Sequence, residues 1–246
     1  MQKVSRLWEI DSARGIAILM MVVFHTVYDL SFFSLYPVSV ATGFWRYFAY
    51  ATASLFLVIV GVSLIVSHAR ASQQVSGFPL AKKFILRGAG IFALGLLVTI
   101  ATWLYLHEGY IVFGILHLIG VSVMLSPLFF RFKKLNVLLG LACIPAGWII
   151  SGMSGPAFLL PLGVIPPGFT SVDYTPLFPW FGMVLIGLGL GSWLYAGGVR
   201  QFSLRPLPDL FVRPLSFLGR HSLLIYLVHQ PVIILMLAAV TGMKVL

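Results

Sequence analysis

The sequence predicts an all-α polytopic membrane protein, a bundle of seven or eight transmembrane helices with its N-terminus in the cytoplasm. Three observations predict it. Sixty per cent of the residues are hydrophobic and only 9% are charged, against roughly 25% charged in a soluble domain, and the mean hydropathy is +1.03. Seven apolar stretches of about 20 residues, the length that crosses a hydrocarbon core, lie at 13–33, 44–66, 84–106, 111–130, 135–152, 177–196 and 222–240. The cations alternate between the loops these spans define.

That alternation sets the topology. Of the 16 Lys and Arg residues, 14 fall in four places. These are the N-terminus through Arg14, the stretch 70–87, the "RFKK" of 131–134, and 200–220. Only Arg46 and Lys244 lie on the opposite side. This is the positive-inside asymmetry, so the net charge of +10 reflects topology and excludes nucleic acid as a partner. With short loops and seven spans in 246 residues, no separate soluble domain fits, and residues 1–246 form a single transmembrane domain.

The stretch leading into and through the first span, "EIDSARGIAILMMVVFHTVYDLSFF", carries Asp11, Arg14, His25 and Asp29. Its acidic n-region, and the lack of a small-x-small site after it, set it apart from a cleaved signal peptide. At 100° per residue, Asp11, Arg14, His25 and Asp29 share one face, a stripe of about 27 Å. A charge at mid-membrane costs at least roughly 2.5–3.5 kcal/mol, so this face looks at protein or at a water-filled cavity. Asp11 and Arg14 suit an interfacial ion pair. His25 lies near mid-membrane with Asp29 one turn away, where side chains can meet. An imidazole with an ordinary pKa near 6.5 serves as a general base, and a carboxylate beside it can fix its tautomer. The stretch holds no candidate nucleophile, so the pair would activate a hydroxyl or amine of a substrate.

The later spans add polar residues at intervals. The fourth carries His117, equally suited to bonding a neighbouring helix. Pro156, Pro161, Pro166 and Pro167 break the apolar segment 153–176, which is expected to be a short eighth or re-entrant element. "SVDYTPLFPWFG" brings Asp173 and Trp180 to the outer mouth of the sixth span, where aromatic residues anchor the interface or stack on sugars. The last span holds Tyr226, His229 and Gln230 beside Pro231, which removes a helix N–H. On the cytoplasmic side Lys82, Lys83, Arg87 and Arg220 suit lipid phosphate or a nucleotide-like anion. Glycines in "GAGIFALGLL" and "GMVLIGLGLG" form seams for close helix packing. The lone Cys143 forms no intramolecular disulfide, and no P-loop or Cys/His metal spacing occurs, so no metal is expected.

Four motifs in order carry a resemblance to a known family. They are "R-x-x-E-I-D-x-x-R-G-I-A-I-x-x-M-x-x-F-H-x-x-Y-D-L", "G-I-L-H-x-I-G", "D-Y-x-P-L-F-P-W-F-G" and "L-G-R-x-S-L-x-I-Y-L-x-H-Q-P". Together, from about residue 5 to 235, they resemble the prokaryotic branch of the heparan-α-glucosaminide N-acetyltransferase catalytic-domain-like family, within the wider superfamily of transmembrane acyltransferases. The resemblance implies a multi-pass protein of the prokaryotic inner membrane that takes an acyl group from cytosolic acetyl-CoA or another acyl-CoA. The group would pass to a hydroxyl or amine of a glycan or lipid-linked sugar reached from the other side. Arg14 and His25 match the family's "R-G … H" motif, whose histidine is regarded as catalytic in O-acylating relatives. In the lysosomal N-acetyltransferase the position matching His25 is read as asparagine, with the functional histidine in the following loop. Here that loop, 34–45, has none, which favours direct transfer with His25 as base and Asp29 beside it.

On this reading coenzyme A phosphates stay near Lys82, Lys83, Arg87 and Arg220. The remaining polar positions, Asp11, Arg14, Arg46, His117, Asp173, Trp180, Tyr226, His229 and Gln230, are assigned to substrate. Membrane lipids are the other partners, and a homodimer is left open. The rival reading is a proton-coupled transporter or flippase of a small anion or lipid, which would use the same stripe as a proton relay.

Overall fold

The computed structural model describes residues 7–205 and 207–242; Lys3, Arg6 and Lys244, used above to assign sidedness, lie outside them. Every long element is a helix: α1 (Trp8–Phe32), α2 (Gly43–Ala71), α3 (Gly77–Leu106), α4 (Ile115–Phe129), α5 (Asn136–Ser151), α6 (Leu177–Leu194), α7 (Asp209–Arg220) and α8 (Ser222–Thr241). Among the described residues, six helical runs are long and apolar enough to cross a membrane. One of the six, Ile115–Ser151, joins α4 and α5. The sequence expectation of seven counts those two separately, and the backbone breaks there: Lys133 has φ 46° and ψ −122°, outside the helical region. Asn136, fully buried, donates from Nδ2 to the Phe129 carbonyl at 2.9 Å and satisfies an end group that the broken helix leaves open.

Segment 153–176 holds only a six-residue 3₁₀ turn, Ala157–Leu162, about 12 Å long at 2 Å per residue. That is too short to cross. The eighth helix is instead α7, within a stretch expected to be a basic loop.

The chain divides into two compact units, one made of the residues up to Phe56 and from Leu204 on, the other of Leu57–Ser203. The single helix α2 contributes to both. In the first unit α1 packs against α7 and α8. A methyl group at Gly219 would overlap the Asp11 carbonyl, and one at Gly15 the Leu215 carbonyl, so α1 and α7 meet backbone to backbone. Ser12 and Ser216 share a hydrogen bond of 2.9 Å in that seam.

In the second unit α3 pairs with α4 and α5 with α6. Gly88 and Gly120 sit at the first contact, Gly140 and Gly182 at the second; a Cβ at each would lie 2.5–2.7 Å from backbone of the facing helix. The small-residue seams expected from the sequence are where the helices touch.

Candidate functional site

In the first unit the polar residues of α1 and α8 converge. Asp29, 2% exposed, accepts a 2.7 Å hydrogen bond at Oδ1 from Nε2 of Gln230. His25 and His229 meet edge to face with ring centroids 4.8 Å apart, and the Tyr226 ring lies 5.4 Å from that of His229. Five residues assigned from sequence, 25, 29, 226, 229 and 230, therefore form one cluster.

Their hydrogen bonds fix what they present. His25 Nδ1 lies 2.9 Å from the Met21 carbonyl of its own helix, and His229 Nδ1 lies on the Tyr226 carbonyl. A carbonyl only accepts, so each Nδ1 carries the proton and each neutral ring keeps its lone pair at Nε2. Gln230 is oriented by the same logic: its N–H faces the carboxylate, leaving Oε1 as an acceptor. Asp29 Oδ2, His229 Nε2 and Gln230 Oε1 are buried without a hydrogen-bond partner. These three atoms are unused acceptors, and a group with O–H or N–H donors would complement them. Met21 is the component that sequence reasoning missed. The expected role of Asp29 in setting the His25 tautomer falls to the Met21 carbonyl, while Asp29 bonds Gln230.

Lower on α1, Arg14 Nη1 lies 3.3 Å from Asp11 Oδ1 and 3.3 Å from the Gly219 carbonyl, so this ion pair clasps the α1–α7 seam. Arg46 is exposed, donates to the Tyr50 hydroxyl at 3.0 Å and lies over its ring. Arg220 donates to the Ser216 carbonyl at 3.2 Å.

In the second unit His117 and Asp173 also come together, in a different way. His117, 1% exposed, occupies the third position of α4 and accepts at Nδ1 from the Gly114 N–H at 3.2 Å. Its proton therefore sits on Nε2, 3.4 Å from Thr99 Oγ1. Asp173 accepts from the Ile115 N–H at 3.1 Å and from Thr175 Oγ1 at 2.8 Å. Both residues satisfy the open N–H groups of a helix start, and the carboxylate stands at the positive end of its dipole. Burial pushes the Asp173 carboxyl up from its ordinary 3.8, against the hydrogen bonds from Thr175 and Ile115 and the attraction of His117. Gly95 makes room for the imidazole, its Cβ position lying 3.1 Å from the ring, and Phe92 and Phe113 close the box.

Of the remaining assignments, Trp180 lies in the first turn of α6, partly buried. Lys82 and Lys83 are exposed near the start of α3, and Arg87 reaches Ser67 Oγ at 3.5 Å. Among the described residues no three His, Cys, Asp or Glu side chains gather as a metal site.

Residues 6–231 match the family model described as heparan-alpha-glucosaminide N-acetyltransferase, catalytic. The chain belongs to this family. No curated protein and no solved structure is detectably similar to it. The match covers most of the chain and includes α1 and the part of α8 that holds His229 and Gln230. Family and apolar helices together imply a membrane-embedded acetyltransferase. Its motif histidines differ in setting: His25 and His229 keep free lone pairs, whereas both ring nitrogens of His117 are engaged.

Proposed function

We propose that the protein moves an acetyl or other acyl group from cytosolic acyl-CoA to a hydroxyl or amine of a glycan-like acceptor across the membrane, with His25 as general base. The observation that carries this reading is the tethered imidazole: with Nδ1–H bonded to Met21, Nε2 is the ring's basic atom. In this scheme Nε2 takes the proton of the acceptor as its oxygen or nitrogen attacks the thioester carbonyl. The C–S bond then breaks, and the imidazolium returns the proton to the departing coenzyme A thiolate. Asp29 and Gln230 orient the acceptor, and His229 is the second acceptor atom beside the base. Proximity of two bound substrates supplies much of the barrier reduction. The cations assigned to donor phosphates are Lys82, Lys83 and Arg87 on α3, with Arg220 a separate candidate on α7.

The test uses the protein in nanodiscs with radiolabelled acetyl-CoA and a panel of sugars and lipid-linked sugars. Expected are saturable acetyl-CoA binding, weakened in Arg87→Ala and Lys83→Ala, and label transfer that is lost in His25→Ala while binding persists. Absence of acetyl-CoA binding, together with proton-coupled flux of an anion or lipid, would overturn the reading in favour of a transporter.

A further inference from the structure

Helix α7 has the wrong side out. Its 12 residues extend about 18 Å, too short to cross a hydrocarbon core of about 30 Å. Spaced at 100° per residue, they fall into three arcs. Val212, Ser216 and Gly219 face α1, and of these Ser216 and Gly219 are buried in the serine and glycine seam. Asp209, Arg213 and Arg220 cluster within about 40° of one another. Leu210, Pro214, Phe217, Phe211, Leu218 and Leu215 span the rest; Leu210 is 78% exposed, Phe211 58% and Phe217 53%, while Leu215 and Leu218, nearest the seam, are half-buried.

A helix on a soluble protein turns its apolar arc to the core and its polar arc outward. Here the tightest protein contact is made by small and polar residues, with Leu215 and Leu218 half-covered beside it, while Leu210, Phe211 and Phe217 are exposed, and Leu207, just ahead of the helix, is exposed too. Such an inversion is stable where the surrounding solvent is itself apolar.

We propose that α7 lies in the plane of the cytoplasmic leaflet, its apolar arc sunk to the acyl boundary and Arg213 and Arg205 against the phosphates of anionic lipids. The charges favour this occupant. Arg213 donates from Nη2 to Asp209 Oδ2 at 2.6 Å, yet its side chain is 80% exposed on the arc beside the apolar one, so its remaining guanidinium N–H groups stand at the height where an arginine meets headgroups. Arg205 is exposed in the lead-in, and Asp209 is the only acidic residue from 200 to 220. A helix of this kind gains from buried apolar area and from attraction to anionic lipid together. Because α7 is clasped to α1 at Gly219 and passes through His221 directly into α8, its seating in the leaflet bears on the two helices that carry the histidine cluster.

Spin labels test the placement, in the full chain with Cys143→Ala, reconstituted in nanodiscs of phosphatidylcholine alone or mixed equally with phosphatidylglycerol. Labels at Leu210→Cys and Phe217→Cys are expected to collide severalfold more with oxygen than with an aqueous nickel chelate, and a label at Arg213→Cys the reverse. Adding phosphatidylglycerol should slow the Leu210 label, and Arg205→Gln with Arg213→Gln should abolish that response. Nickel access at 210 and 217 would put the helix in water. Shielding from both reagents would mean that a second protein copy covers the arc, and an identical signal in both lipid mixtures would remove the anionic lipid. Each result overturns the proposal, and circular dichroism of every variant reports whether the helices persist.

Discussion

The two buried histidine centres are built from the same residue types and end in opposite states. Around His117 both ring nitrogens are engaged, and both carboxylate oxygens of Asp173 have donors. Around His25 and His229 each ring spends one nitrogen on its own helix, and Asp29, Gln230 and His229 each keep an orphaned acceptor. Residue type is common to both and therefore decides nothing. What separates structural glue from a candidate site is whether the hydrogen-bonding capacity is used up. Unsatisfied buried polar atoms cost stability, and their concentration in one cluster marks the place where a substrate can repay that cost.

The largest expected effect tests the open centre. His25→Gln should lower acyl transfer by about 10²–10⁴-fold, the range for a general base, with the melting temperature in detergent unchanged. A large fall in melting temperature would show His25 to be glue and erase the contrast. Next comes the closed centre: His117→Ala strands the Gly114 N–H and leaves a void beside Phe92 and Phe113. The loss should be about 2–4 kcal/mol in denaturant unfolding, with activity per folded molecule retained. His117→Gln, whose amide can reach back to the same N–H as in a capping box, should recover about 1 kcal/mol.

Smaller effects sharpen the distinction. Asp29→Asn can still accept from Gln230, so stability should change by less than about 1 kcal/mol. It aims an N–H into a cluster of acceptors, however, and KM for the acceptor substrate should rise more than kcat falls. A proportional loss of melting temperature would place Asp29 with the glue. The smallest effect is a pH profile. Since the Asp173 carboxyl is raised in the folded state, the folded form holds its proton more tightly than the unfolded chain does. That stabilisation is full below the ordinary 3.8 and is lost as pH rises through the raised value. In Asp173→Asn the melting temperature relative to the parent should therefore climb from acid toward neutral pH. A constant difference would show that the carboxyl is not raised.

Much of the fold was legible because hydropathy and loop charge respond to the bilayer alone. The break between α4 and α5 falls in the "RFKK" that charge had marked as a loop. Helix α7 escaped, since its apolar residues are too few for a hydropathy window; its 3.6-residue pattern was the available signal. The cluster was legible residue by residue and illegible as a network. His229 and Gln230 were singled out, yet a bond between residues 29 and 230 leaves no trace in local spacing. Asp29 was expected to orient His25 because both lie one turn apart. The backbone carbonyl at Met21, equally one turn away, has no side-chain signature to compete with it in a sequence. His117 and Asp173 were both placed near substrate, and their shared engagement with the start of α4 depends on a loop whose course only the coordinates give.

The Met21 tether has a consequence for how such an enzyme diversifies. A base anchored to a partner helix must be re-aimed whenever that helix changes. His25 takes its bearing from a peptide group four residues back in the same helix, which every side-chain substitution elsewhere leaves in place. With His25 as the proposed base, the opposing wall would be free to drift toward new acceptors, one substitution at a time, while the imidazole keeps its heading.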